Sequence, residues 1–321
     1  MPNPIARLAA AAILTLLATA CGGAGNTPPP ADTAQPAPAP APAAEPGPAE
    51  QLAAVIAGGH RSAENRARDR YRHPQETLEF FGLKPDMAVI EIWPGAGWYT
   101  EILAPYVREH GRYIAAHWDP ESQQEYTRRG LQAFRDRLAA TPALYDRAEV
   151  VVLAPPQKTE MVPAESVDMV LTFRNIHNWM ASGQAETMFA AMYRVLKPGG
   201  VLGVVEHRAG TDKAQDPKAK SGYVREDYAI ALAGKAGFVL EAQSPVNDNP
   251  LDTHDHPKGV WTLPPTLADG DKDREKYLAI GESDRFTLRF RKPGSVAGVG
   301  EGAAPATDES QPGEETVAPP P

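Results

Sequence analysis

Cysteine is almost missing from this chain: one residue, Cys21, occurs in 321. A single thiol can form neither an intramolecular disulfide nor a cysteine-based metal centre. There is no lysine- or arginine-rich block, and the net charge of −9 repels phosphate backbones. Nucleic acid is therefore not expected as a substrate. No apolar run reaches the roughly 20 residues needed to span a bilayer as a helix. Internal repeats are absent too, which excludes a solenoid.

What the N-terminus does hold is an address. Arg7 precedes an apolar run from Leu8 to Leu17, then small residues, then Cys21. A run of about ten residues suits the core of a signal peptide. The segment Leu17-Ala18-Thr19-Ala20-Cys21-Gly22 resembles the bacterial lipobox. That resemblance implies a signal peptide over residues 1–20 and a lipidated Cys21 as the new N-terminus. Acyl chains there would anchor the protein on the periplasmic side of a bacterial membrane without a transmembrane span. Ordinary secretory cleavage after Ala20, giving a soluble periplasmic protein, is the alternative.

Residues 21–55 are dominated by Pro and Ala, a composition that cannot bury apolar surface and favours extended polyproline II. The tail, residues 294–321, is similar. Both are expected to be disordered, leaving one domain over residues 56–293. There, apolar strand-like runs alternate with helical stretches, the pattern of a parallel sheet with crossover helices. The runs are Ala88–Ile92, Arg112–Ala116, Glu149–Leu153, Met169–Phe173, Val201–Glu206, Phe238–Ala242 and Phe286–Arg291. The clearest helix, Ala185–Leu196, repeats Met188, Phe189, Met192, Val195 and Leu196 at helical spacing. A long irregular insertion, from about Ser244 to Ser283, separates the last two strands.

The most informative segment is Glu91-Ile92-Trp93-Pro94-Gly95-Ala96-Gly97-Trp98-Tyr99. A strand ends there in a glycine-rich bend that opens a helix, where free N–H groups and bare backbone can meet a carboxylate or phosphate. Downstream, Asp168 opens a strand running into Phe173-Arg174-Asn175-Ile176-His177-Asn178-Trp179. Lys197-Pro198-Gly199-Gly200 then feeds another strand. In this order the motifs resemble class I S-adenosylmethionine-dependent methyltransferases, over about Leu83 to Pro293. The bend also resembles a group of methyltransferase-like exported bacterial proteins with W-P-G-x-G-W-Y at this point.

The resemblance implies a Rossmann-like α/β fold, a seven-stranded mostly parallel sheet with helices on both faces, and S-adenosylmethionine as cofactor. Gly95 and Gly97 would pass beneath its amino-acid end, with Glu91 near the ammonium group. Trp93 replaces the first glycine of the family's motif. The ribose acid is expected near the end of the second strand, at His117 or Asp119; Asp119 before Pro120 also suits a helix N-cap. No acid marks the adenine side. Asn175 follows the fourth strand, where α/β sheets bind ligands. His177 and His207 are the candidate bases for methyl transfer. The cluster Asp252-Thr253-His254-Asp255-His256 has metal-ligand types, but a polar loop is favoured and no metal is expected. The expected activity is methyl transfer to a small-molecule acceptor. A catalytically inactive ligand-binding or scaffolding lipoprotein is the alternative. A nicotinamide-dependent oxidoreductase fits less well, since no Y-x-x-x-K pair suited to short-chain reductase chemistry is evident and Lys197-Pro198-Gly199-Gly200 argues against it.

Overall fold

A computed structural model describes residues 46–294. The expected signal peptide, Cys21, most of the linker and the tail beyond residue 294 lie outside the described residues.

The chain enters through α1 (Pro48–Ile56), α2 (Ala63–Arg66), α3 (Asp69–Arg72) and α4 (Pro74–Phe81). Helix α1 falls within the stretch expected as linker. Its sequence PAEQLAAVI starts with proline at the first turn, buries Leu52 with Val55 and Ile56 packed beside it, and accepts the Tyr106 hydroxyl at Pro48 O (3.1 Å), so these nine residues are tied to the domain. Next come β1 (Ala88–Ile92), α5 (Thr100–Val107), β2 (Arg112–His117), α6 (Glu125–Ala140), α7 (Pro142–Tyr145) and β3 (Glu149–Val152). The second half runs β4 (Val167–Phe173), α8 (Ile176–Ser182), α9 (Ala185–Val195), β5 (Leu196–His207), α10 (Glu226–Lys235) and β6 (Val239–Ser244). A 3₁₀ turn (Gly259–Thr262) and α11 (Arg274–Ile280) lead to β7 (Arg285–Arg291).

The seven strands form one sheet in the order β3-β2-β1-β4-β5-β7-β6. β1 to β5 are parallel, with Ile90 opposite both Ile114 and Val170, and β7 runs antiparallel between β5 and β6. This is the Rossmann-like α/β architecture that the motif order implies. Both faces are covered, so the strands are apolar on both sides. Val89, Ala115, Met169 and Leu171 pack on one face with α1, α4 and α5. Ile90, Ile114, Val170 and Leu202 pack on the other with α8, α9 and α10. Helix α9 buries Met188, Phe189, Met192 and Val195, the stripe expected from spacing.

The order in which strands are added reverses between the parallel neighbours β1 and β4, which leaves a crevice beyond their carboxyl ends. The segment between β6 and β7 reaches across that crevice, because Trp261, Pro264 and Ser283 line it. No described helix is long and apolar enough to cross a membrane.

Candidate functional site

The site starts at the bend after β1. The Trp93 amide continues the sheet by donating to Ala116 O at 2.8 Å. Trp93, Gly95 and Gly97 then all take positive φ, at 46°, 60° and 82°. Glycine accepts this backbone without strain, whereas a tryptophan there costs on the order of 1 kcal/mol. What holds Trp93 is its side chain. The indole N–H donates to the Leu153 carbonyl at 2.9 Å, and the ring meets Trp118 and Trp179 edge-on at 6.4 and 6.2 Å. At Gly95 an added Cβ would find nothing within 4 Å, so bare main chain faces open space. At Gly97 it would press on Phe134 and Thr100 at 3.2 to 3.3 Å, so that glycine serves close packing.

The open space is a cleft of about 310 Å³. Its floor is Trp93 to Ala96 with Phe173 to Asn175, from the ends of β1 and β4. Arg68, Arg72, Trp98 and Glu282 make one wall, His177 and His207 the other, and Trp261, Pro264 and Pro265 the roof. Of the site residues expected from sequence, Trp93, Gly95, Asn175, His177 and His207 meet around this cleft.

Glu91, Gly97, His117 and Asp119 do not line it. The Glu91 carboxylate is buried on the helix side, where the hydroxyls of Thr100 and Tyr113 both donate to Oε2, at 2.8 and 2.6 Å. Burial pushes its pKa up to about 7 against those two hydrogen bonds. An ammonium group in the cleft would not reach a carboxylate so enclosed. His117 is buried too. Its Nδ1 accepts the Trp118 amide at 2.8 Å, which leaves the proton on Nε2, 3.3 Å from the Gly95 carbonyl. It thereby pins the glycine bend, and burial pushes its pKa down to about 4. Asp119 turns away to Lys158 Nζ at 2.7 Å and accepts the Glu121 amide at 3.0 Å within a turn; the next helix, α6, starts only at Glu125, so Asp119 is not its N-cap. The side-chain amide of Asn175 donates to Ile92 O at 2.9 Å, tying β4 to β1 under the cleft.

His177 and His207 meet at Glu206, the buried residue at the end of β5. The Glu206 carboxylate accepts the amides of Ile176 and His177 on Oε2 (2.5 and 3.3 Å), and the His207 amide on Oε1 (2.8 Å). His177 Nδ1 lies 3.1 Å from Oε1. A carboxylate accepts, so Nδ1 donates and Nε2 keeps its lone pair. His207 Nδ1 is paired with the Ser283 hydroxyl. Burial, then the neighbouring His177 and Arg174, hold its pKa well below the ordinary value. These three residues are a group that could hold a cation among the described residues, their ligand atoms lying within 4.8 Å of one another. The carboxylate already serves four N–H donors, however, and the arginines near His207 oppose a further positive charge. The arrangement suits an oriented histidine better than a metal.

The polar loop of the insertion is internally satisfied. His256 Nε2 meets Asp252 at 2.9 Å and His254 Nε2 meets Asp284 at 3.2 Å, while the Tyr223 hydroxyl donates to Asp252. It closes the insertion onto the sheet.

Sequence reasoning missed the charged wall. Arg68, Arg72 and Arg285 all reach Glu282, at 2.7, 3.1 and 3.0 Å. Burial raises the Glu282 pKa, but the guanidinium groups of Arg72, Arg285, Arg174 and Arg68 overcome it and hold the carboxyl at about 2. The signal was the run of arginines from Arg61 to Arg72, in a stretch with no lysine.

A sheet of this order, with a glycine bend at its switch point and a cleft beyond it, is a Rossmann-like α/β domain with a ligand crevice at the ends of β1 and β4. A family model described as a methyltransferase domain matches residues 90–204. Among solved structures, a SAM-dependent methyltransferase from Aquifex aeolicus is 16% identical, with 76% of this chain and 98% of that one covered at a TM-score of 0.48. A SAM-dependent methyltransferase from Methanosarcina mazei is 14% identical, covering 68% of this chain and 97% of that one at a TM-score of 0.44. No curated protein matches the chain in sequence.

The cofactor that such a domain implies, S-adenosylmethionine, fits in part as the side chains stand. Bare backbone at Gly95 suits its amino-acid end. The nucleoside end would lie over the ends of β2 and β3, where the Trp93 indole now sits. That indole is held there by its bond to Leu153 O and its contacts with Trp118 and Trp179, so the nucleoside end does not fit as the side chains stand.

Proposed function

We propose that this protein is an S-adenosylmethionine-dependent methyltransferase acting on a small-molecule acceptor. In this reading it is exported and held at the periplasmic face of a bacterial membrane by lipid on Cys21. The observation that carries the enzymatic part is that bare backbone at Gly95 and the His177–Glu206 pair open onto one cleft.

The cofactor, when bound, supplies an electrophilic methyl group. Gly95 and Ala96 would cradle its amino-acid end, and Trp93 would yield the nucleoside space. The protein's own part is to position the acceptor and take its proton. Glu206, fixed by three backbone amides, orients His177 so that Nε2 can accept a proton from an acceptor hydroxyl or amine. Trp261 packs edge-on to the His177 ring at 6.1 Å, and with Pro264 and Pro265 it shields the cleft from water. Holding two reactants in line is the larger contribution in such transfers.

Calorimetric titration of the mature protein with S-adenosylmethionine tests the enzymatic part. Neither heat of binding nor thermal shift would overturn it. Incorporation of a fatty-acid label into the wild type but not into Cys21→Ser tests the anchor. A label absent from both would remove it.

Trp93 favours a second reading, a binding module that keeps the fold without methyl transfer, because the indole occupies the nucleoside space. Release of S-adenosylhomocysteine with any acceptor would eliminate it.

A further inference from the structure

The wall of the cleft holds more positive charge than its carboxylate can answer. Arg68, Arg72, Arg174 and Arg285 face the single carboxylate of Glu282, and all four act on its titration. Arg285 is satisfied, since its remaining N–H groups reach Ser283 O and Tyr71 O. Arg72 is not. Its Nε reaches Glu282 and its plane lies 4.7 Å from the Trp98 ring, but Nη1 and Nη2 are buried without any partner among the described residues. The residue is 2% exposed and lines the cleft. Arg174, from the end of β4, also lines the cleft, at a left-handed φ of 61°. Its guanidinium makes no side-chain hydrogen bond or ion pair among the described residues, and burial lowers its pKa from the ordinary value.

A buried guanidinium edge whose donors have lost water is unfavourable unless something accepts from it. Two parallel N–H groups match the two oxygens of a carboxylate or phosphate. The proposed cofactor does not remove the imbalance. With a sulfonium, an ammonium and one carboxylate it carries net positive charge, so the cleft still lacks a counter-anion once the cofactor is in place. The rest of the lining gives the ligand a body: Trp261, exposed at the mouth of the cleft, offers flat apolar surface beside the charge.

We propose that the acceptor is an oxyanion: a flat small molecule whose carboxylate or phosphate docks on the Arg72 and Arg174 guanidinium groups. Its reacting hydroxyl or amine then lies toward His177. The identity of the reaction rests on the methyltransferase reading; the anion site does not. Uncharged compounds of the same shape would leave Arg72 unanswered and be rejected.

The test is calorimetric titration of the mature protein, without cofactor, with 4-hydroxybenzoate, 4-hydroxybenzamide and inorganic phosphate. The acid is expected to bind at least tenfold more tightly than the amide. Arg174→Gln, which removes no ion pair, should abolish that preference while keeping the melting temperature near that of the wild type. Arg72→Met should lose the preference as well, with a lower melting temperature because it also breaks the buried pair with Glu282. Binding of phosphate alone identifies a phosphate-bearing acceptor, and preference for the acid a carboxylate. Equal affinity for acid and amide together with no phosphate binding, or a preference unchanged in both folded variants, overturns the proposal. Anion binding in a protein that takes up no S-adenosylmethionine would retain this site and refute methyl transfer. The converse result would retain methyl transfer and refute the site.

Discussion

The indole N–H of Trp93, just past β1, donates to the carbonyl of Leu153, just past β3, at 2.9 Å. Because β2 lies between those strands, the ring spans the carboxyl end of the middle one. The backbone at Trp93 is left-handed, so this side chain is kept in place against a conformational cost. The indole therefore stands across the crevice at the carboxyl end of β2.

Trp93→Gly should therefore bind S-adenosylmethionine about tenfold more tightly, which corresponds to the roughly 1.4 kcal/mol of displacing the indole. The variant loses the edge contacts with Trp118 and Trp179, so its melting temperature should fall, although relief of the positive φ offsets part of the loss. Titration calorimetry with paired melting curves reads both. A folded variant with unchanged or weaker affinity would show that the nucleoside lies elsewhere.

Gly95→Asp should lower cofactor affinity at least tenfold while the domain still folds. The Cβ position is empty, so the side chain enters the cleft rather than the core. The left-handed φ of 60° adds a fold penalty of on the order of 1 kcal/mol. Gly95→Ala is the control: it carries the backbone penalty without the charge.

His177→Asn should leave cofactor affinity unchanged and lower the methyl-transfer rate by on the order of 10²–10⁴-fold, the usual worth of a positioned base. Release of S-adenosylhomocysteine in single turnover measures it. Loss of binding together with rate would mean that His177 shapes the cleft instead.

The central strands were legible because two-sided burial makes β1, β4 and the second half of β5 near-continuous apolar runs, and Gly95 marks the bend after β1, whereas β6 at the sheet edge alternates exposed and half-buried residues. Much less of the site could be read. Glu91 and His117 hold the positions that a motif assigns to ligand contacts, yet Thr100, Tyr113 and the Gly95 carbonyl consume their polar atoms. Which atoms are spent inside the fold depends on side-chain direction, which spacing does not record. The arginine wall was hidden for another reason. Arg72, Arg174 and Glu282 come from three separate parts of the chain and converge only when α3, the end of β4 and the start of β7 come together.

Glu91 supplies a prediction in pH. Its ordinary pKa of 4.5 is raised to about 7 in the fold by burial. Between those values the folded protein keeps a proton that the unfolded chain has lost. The stabilising contribution is complete below the unfolded value and is lost as pH rises through about 7. A shift of this size corresponds to roughly 3 kcal/mol. Glu91→Gln is neutral throughout, and its side-chain oxygen can still accept from Thr100 and Tyr113. Its stability relative to wild type should therefore rise by up to about 3 kcal/mol between about pH 5 and pH 8. Urea midpoints at the two pH values decide it. A difference between the two proteins that does not change with pH would mean that Glu91 is charged in the fold at neutral pH.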